Sequence, residues 1–170
     1  MKSLFLVPFF SVIALFQEWV VQPIDTRVSV SFPSKPTRKM LGDEPYFTAA
    51  SEDGFSCTAM VADYSKGAPD TTSLNAYMAS PAAKQSTEES LVRDFQGGKI
   101  LTSKTSMYAG HVCIDIDMTT GQKASDGQFD VMSYRIIVVG IKVYSLYFYY
   151  DQTKPFPNVR DKFFNSFTAK

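Results

Sequence analysis

The sequence predicts an α+β domain: a single antiparallel β-sheet flanked by helices. Three observations carry this. Residues 128–151, QFDVMSYRIIVVGIKVYSLYFYYD, hold two β-branched and aromatic runs broken by Gly140, the composition of a long β-hairpin. A second hairpin is signalled by Asp53-Gly54 between two strand-like runs, since Asp-Gly suits positive φ. Helical spacing of apolar residues within 70–95, and again near the C-terminus, supplies elements to cover the sheet.

Taken in order, residues 1–16 read as a secretory signal. Lys2 gives the positive start, and 4–16 is an apolar run interrupted by Pro8 and Ser11, too short for a comfortable transmembrane helix. Cleavage is expected between Phe16 and Gln22, so 1–22 is set aside as signal peptide and 23–170 as one domain. Val28, Val30 and Phe32 alternate in an opening strand that Pro33 stops. Residues 34–44, with Pro36 and Gly42, read as a loop. Strands 46–51 and 55–64 follow around Glu52-Asp53-Gly54.

Asp70 is placed to cap a helix carrying Leu74, Tyr77 and Met78. Ser80 caps a second helix with Pro81 at its first position, running to about Phe95 with Leu91, Val92 and Phe95 on one face, and Gly97-Gly98 ends it. A weaker strand, 100–108, and a cleaner one, 111–118, flank Ala109-Gly110 as a kink or bulge. Residues 119–127 form a polar connection. After the long hairpin, Asn158 is expected to cap a final helix with Asp161, on which Val159, Phe163 and Phe167 fall at i, i+4 and i+8 and require docking on the sheet.

The long hairpin admits two registers. With an odd loop, Ile136 lies opposite Leu146, and one face reads Met132, Tyr134, Ile136, Val138, Tyr144, Leu146, Phe148 and Tyr150, continuously apolar. The other face then carries Arg135, Tyr147 and Tyr149. A two-residue Gly140-Ile141 turn puts Arg135 opposite Leu146 instead. A one-residue slip exchanges faces, so burial is expected to select the odd loop.

Composition narrows the function. The chain of 170 residues is 45% hydrophobic and 14% aromatic, enough for a sizeable core. Lys plus Arg equals Asp plus Glu at 17 each, which argues against general nucleic-acid binding and gives no polybasic signal for anionic lipid. His111 is the only histidine, and no G-x-S-x-G, H-E-x-x-H, Walker A or G-x-G-x-x-G pattern is present.

His111, Cys113, Asp115 and Asp117 share one face of a strand by alternation. They read either as metal ligands or as a polar outward face; residues two apart on a strand sit about 7 Å apart at their backbones, which keeps all four off one ion. Cys57 and Cys113 either pair as a disulfide, which needs Cα atoms about 4.4–6.8 Å apart, or remain two small buried thiols. Tyr147 and Tyr149, with Arg135 on the same face in the odd register, are the binding candidates.

The order of these parts resembles the PsbP-like superfamily, which includes an extrinsic photosystem subunit, a Ran-binding nuclear import factor and DcrB-type bacterial envelope proteins. The resemblance rests on the strand ending Phe32-Pro33, the Asp53-Gly54 hairpin, the helical stretch, strand 111–118, the pair with Val139-Gly140 and Val143-Tyr144-Ser145-Leu146, and the ending Phe163-Phe164-Asn165-Ser166-Phe167. It implies an α-β-α sandwich and a mostly non-enzymatic binding or assembly role, with no catalytic motif to transfer.

The resulting expectation is a non-catalytic exported protein, periplasmic, envelope-associated or secreted. It needs no cofactor, binds another protein, and touches a membrane only through an uncleaved signal segment. Two alternatives stand beside it: metal or hydrolytic chemistry on the His111 face, and a small apolar-ligand carrier with a pocket under the 70–95 helices.

Overall fold

The computed structural model describes residues 18–68, 70–122 and 129–170; the proposed signal run 4–16 and part of the 119–127 connection lie outside them. The elements in chain order are β1 (Val20–Pro23), β2 (Val28–Phe32), β3 (Thr37–Leu41), β4 (Glu44–Ser51), β5 (Phe55–Asp63), α1 (Thr71–Met78), α2 (Pro81–Asp94), β6 (Lys99–Tyr108), β7 (His111–Thr119), β8 (Val131–Val139), β9 (Lys142–Tyr150), α3 (Pro157–Asn165) and β10 (Thr168–Ala169). The class is α+β as expected, but there are two sheets rather than one. A seven-stranded antiparallel sheet has the order β3-β4-β5-β9-β8-β7-β6, and a separate three-stranded sheet has the order β1-β2-β10.

The second sheet has a simple cause. Strand β2 turns Val28, Val30 and Phe32 onto the large sheet, and its backbone groups still need partners. Strand β1 supplies them on one side, pairing Val20 with Phe32, and the two-residue β10 supplies them on the other. Strand β1 falls largely inside the stretch set aside as signal peptide, and β10 is too short to show a period. The loop predicted over 34–44 likewise contains β3, whose five residues are all exposed. An edge strand in water shows no alternation, and only its pairing with β4 reveals it.

The large sheet is covered on both faces. On one lie α3 and the small sheet, with Phe163 edge-on to Phe32 at 5.4 Å between ring centroids. On the other lie α1 and α2, whose Leu74, Met78 and Leu91 pack on Ile116, Met132 and Ile136. Asp25 fastens the β1–β2 turn to β9: Tyr144 Oη donates to its carboxylate at 2.7 Å and Lys142 Nζ at 2.9 Å. Burial alone raises a carboxyl, but these bonds and the backbone N–H groups of Arg27 and Val28 outweigh it and hold Asp25 down at about 2.

The caps of the first two helices agree with the sequence. Asp70 accepts from Ser73 N at 2.7 Å, and Ser80 Oγ from Ala83 N at 3.2 Å. Helix α3 differs: Phe156 occupies its N-cap with no side-chain bond and Pro157 begins it, so Asn158 is inside the helix. Phe167 lies beyond the end of α3 yet is buried, meeting Tyr144 edge-on at 5.6 Å. Ala109-Gly110 is a two-residue turn, neither kink nor bulge, because Tyr108 pairs with His111 and both turn residues have positive φ, 49° and 82°.

The long hairpin does not adopt the expected odd loop, and this difference bears most on function. Val139 pairs with Lys142, Arg135 with Leu146 and Tyr134 with Tyr147, which is the two-residue Gly140-Ile141 turn. Gly140 has φ 64° and Ile141 does not have positive φ, the arrangement of a type II′ turn. Burial cannot choose the register here because both faces are covered. Either register buries an apolar set, so turn geometry decides.

Candidate functional site

That register distributes the predicted site residues over two faces. Opposed residues share a face, so Tyr134, Tyr147 and Tyr149 stand on the side of α1 and α2, and Arg135 stands on the side of α3. The three binding candidates therefore do not form one surface. Tyr147 and Tyr149 are half-buried rather than displayed. Tyr147 stacks on Tyr134 at 4.5 Å and 17°, and on Tyr149 at 6.1 Å and 7°.

Beside this stack runs a cleft of about 400 Å³ between the sheet and the two helices. Strand β8 contributes Tyr134 and β9 contributes Tyr147 to its floor. The helices contribute Tyr77 from α1 and Asp94 from the end of α2, Tyr64 enters from the β5–α1 loop, and Glu44 from the start of β4. Tyr64 and Tyr77 are 44% and 52% exposed, so they form the rim, whereas Tyr134 is buried with its hydroxyl 2.9 Å from Ser145 Oγ.

Burial drives the Tyr134 phenol well above the usual tyrosine range. Burial also raises Tyr147; the neighbouring Tyr134 and Ser145 hydroxyls pull the other way, and the Asp94 charge adds to the rise. Both phenols are neutral hydrogen-bonding rings at physiological pH. Nothing local in the sequence marks Tyr134, Tyr64 or Asp94 as members of a site. Pairing Tyr134 with Tyr147 follows from the two-residue turn, but α2 meets the cleft only through tertiary packing.

Arg135 is occupied on the opposite face. Its Nε donates to Asp115 at 2.6 Å, and its guanidinium lies 5.1 Å from the Tyr108 ring and 5.0 Å from that of Phe164. It thus ties β7 and β8 to α3 at the wall of a second groove of about 290 Å³.

His111 lies beside the Ala109-Gly110 turn and lines neither cleft. Cys113 Sγ is 3.7 Å from Asp115, and Asp117 accepts from Ser133 Oγ at 2.5 Å and Thr102 Oγ1 at 3.0 Å. Both carboxylates of this strand face are engaged within the protein. Among the described residues no three His, Cys, Asp or Glu side chains converge as a metal-binding group.

Cys57 and Cys113 are both free. Cys57 is on β5 and Cys113 on β7, with β9 and β8 between them, so three strand spacings of roughly 14 Å separate them and exclude the pairing. Burial, reinforced by the Asp115 charge, pushes the Cys113 thiol up to about 11, and burial pushes Cys57 up as well, so neither is an available thiolate at neutral pH.

An antiparallel sheet of this order, clad by a helix pair on one face and a helix with a small sheet on the other, is a PsbP-like α+β fold. The solution structure of cyanobacterial PsbP (CyanoP) from Synechocystis sp. PCC 6803 is similar to it with a TM-score of 0.61 at 11% identity, covering 88% of this chain and 92% of that one. A protein of unknown function from Pseudomonas aeruginosa described as a putative regulator gives 0.44 at 13% identity, over 79% of this chain and 84% of that one. A protein from Bacteroides thetaiotaomicron gives 0.37 at 8% identity, over 84% of this chain and 45% of that one. No protein-family model and no curated protein sequence matches the chain. The likeness establishes the fold; the roles of individual residues have to come from the site itself.

Proposed function

We propose that this chain is a non-catalytic binding protein of an exported compartment that seats a small organic ligand in the cleft between α1–α2 and the sheet. The observation that carries the reading is the cleft itself: about 400 Å³, floored by the stacked Tyr134–Tyr147 pair, in the size range of small-molecule sites. The single histidine lies on the other face of the sheet, so the cleft lacks the commonest general acid–base. A second reading, in which a protein partner inserts a side chain here, draws on the exposed Tyr64 and Tyr77 at the rim.

The test is a fragment library screened by amide-shift NMR. Fragments that bind are expected to move the amides of Ser90, Leu91 and Tyr147, and to lose that effect in Ser86→Trp. Ser86 is an exposed residue of α2 at the cleft, so the bulky ring blocks the seat without entering the core. If no fragment of any class moves those amides, or if the same fragments still bind Ser86→Trp, the cleft reading falls.

Export is proposed from Lys2 and the apolar run 4–16. A cut at the Gln22 end of the expected window would remove most of β1, and with it Trp19, whose ring lies 4.5 Å from Lys162 Nζ. The Trp19–Lys162 contact supports a proposed cut before Trp19. Intact mass of the protein from its native host is expected to show a start between Gln17 and Trp19. A full-length species, or one starting beyond Trp19, would refute this.

A further inference from the structure

We infer that the ligand of the helix-side cleft is a small organic cation, an alkylammonium or quaternary ammonium group held against tyrosine faces. This rests on the cleft reading above and adds the chemistry of the occupant. Four tyrosines, Tyr64, Tyr77, Tyr134 and Tyr147, line the cleft together with two carboxylates, Glu44 and Asp94. No lysine, arginine or histidine is among the described residues that line it. In a chain whose positive and negative residues balance at 17 each, this one-signed lining is a local choice.

Helix α2, fourteen residues long, runs along the cleft from Ala83 in its first turn to Asp94, its last residue, so its dipole favours neither sign of ligand. An acid in the last helical turn is the wrong charge for helix stability, which makes Asp94 a residue placed against the helix's own preference. Arg93, on the same turn, donates to Oγ of Ser90 at 3.1 Å; Ser90 lines the cleft, although Arg93 itself does not. Neither carboxylate takes part in an ion pair within the described residues.

The physical fit follows from these parts. A cation over a tyrosine face is attracted by the ring quadrupole; Tyr134 and Tyr147 turn a face to each other in the floor, so the exposed Tyr64 and Tyr77 at the rim are the rings left to meet the cation. An anion would meet two carboxylates and no lysine, arginine or histidine among the described lining residues. A neutral apolar ligand would gain nothing from either acid.

The experiment titrates full-domain protein with three probes of similar size: choline, its uncharged carbon analogue 3,3-dimethylbutan-1-ol, and butyrate. Binding is read from the ring resonances of Tyr134 and Tyr147. Choline is expected to bind at least roughly tenfold more tightly than the alcohol, and butyrate to cause no shift. Asp94→Asn is expected to weaken choline about fivefold or more, leave the alcohol unchanged and leave the thermal midpoint no lower. If the alcohol matches choline, or Asp94→Asn affects neither, the cationic ligand is ruled out while the cleft reading stands. If neither these probes nor any library fragment shifts the cleft resonances, both readings fall together.

Discussion

Replacing Phe163 with alanine is expected to cost about 3–5 kcal/mol of stability, the range for deleting a fully buried aromatic ring. Phe163 is 0% exposed. It projects from α3, sits edge-on to Phe32 of the small sheet at 5.4 Å, and contacts Phe164 at 5.6 Å. The cavity would open between the two sheets, where β2 and α3 cannot collapse independently. Denaturant titration measures it, with Val92→Ala as the control: Val92 is 41% exposed on α2, and its loss is expected to fall within about 0.5 kcal/mol. A loss below about 1 kcal/mol for Phe163→Ala would show that α3 and the small sheet are peripheral. The cleft lies on the opposite face, so folded Phe163→Ala protein should keep its ligand affinity.

Gly121→Ala is expected to cost about 2–4 kcal/mol, from a left-handed backbone added to a collision that cannot relax cheaply. Gly121 has φ +73°, and a Cβ there would lie 2.5 Å from Gln96 O, 2.6 Å from Gly97 C and 2.8 Å from Gly98 N. All three are backbone atoms of the segment that leaves α2, so relief would require moving the end of that helix. Gly42→Ala separates the two causes, since Gly42 has φ +61° and a Cβ there would meet nothing within 4 Å; it should cost about 1 kcal/mol. Equal losses at the two positions would mean that the crossing of the two chain segments is slack. Because Asp94 is the last residue of α2, the same substitution should also disturb the cleft.

The two clefts differ in how far the sequence exposes them. Asp115 and Arg135 are visible as charges on adjacent strong strands, but the pairing of β7 with β8 is what sets them opposite each other. Their closure at 2.6 Å makes Arg135 a clamp, not a free recognition group. Tyr147 is visible as a candidate, yet its partners lie on three other elements. Asp94 comes from more than fifty residues upstream, at a helix end that reads as an ordinary polar turn.

The features legible in the chain are local ones. Asp70 and Ser80 cap the helices they were expected to cap, and Glu52-Asp53-Gly54 turns between β4 and β5. The alternating Val28, Val30 and Phe32 enter the core. Each of these is settled by bonds or periodicity within a few residues. Only the tertiary structure shows the second sheet and the separation of the cysteines. Strands β1, β3 and β10 are too short or too exposed to carry a hydrophobic period, so their existence depends on a neighbour's unpaired backbone. The register was undetermined for a related reason: with apolar residues on both faces and cover on both sides, burial no longer distinguishes one slip from the other. That choice fell to a single glycine turn, and it placed Tyr147 over Tyr134 instead of beside Arg135.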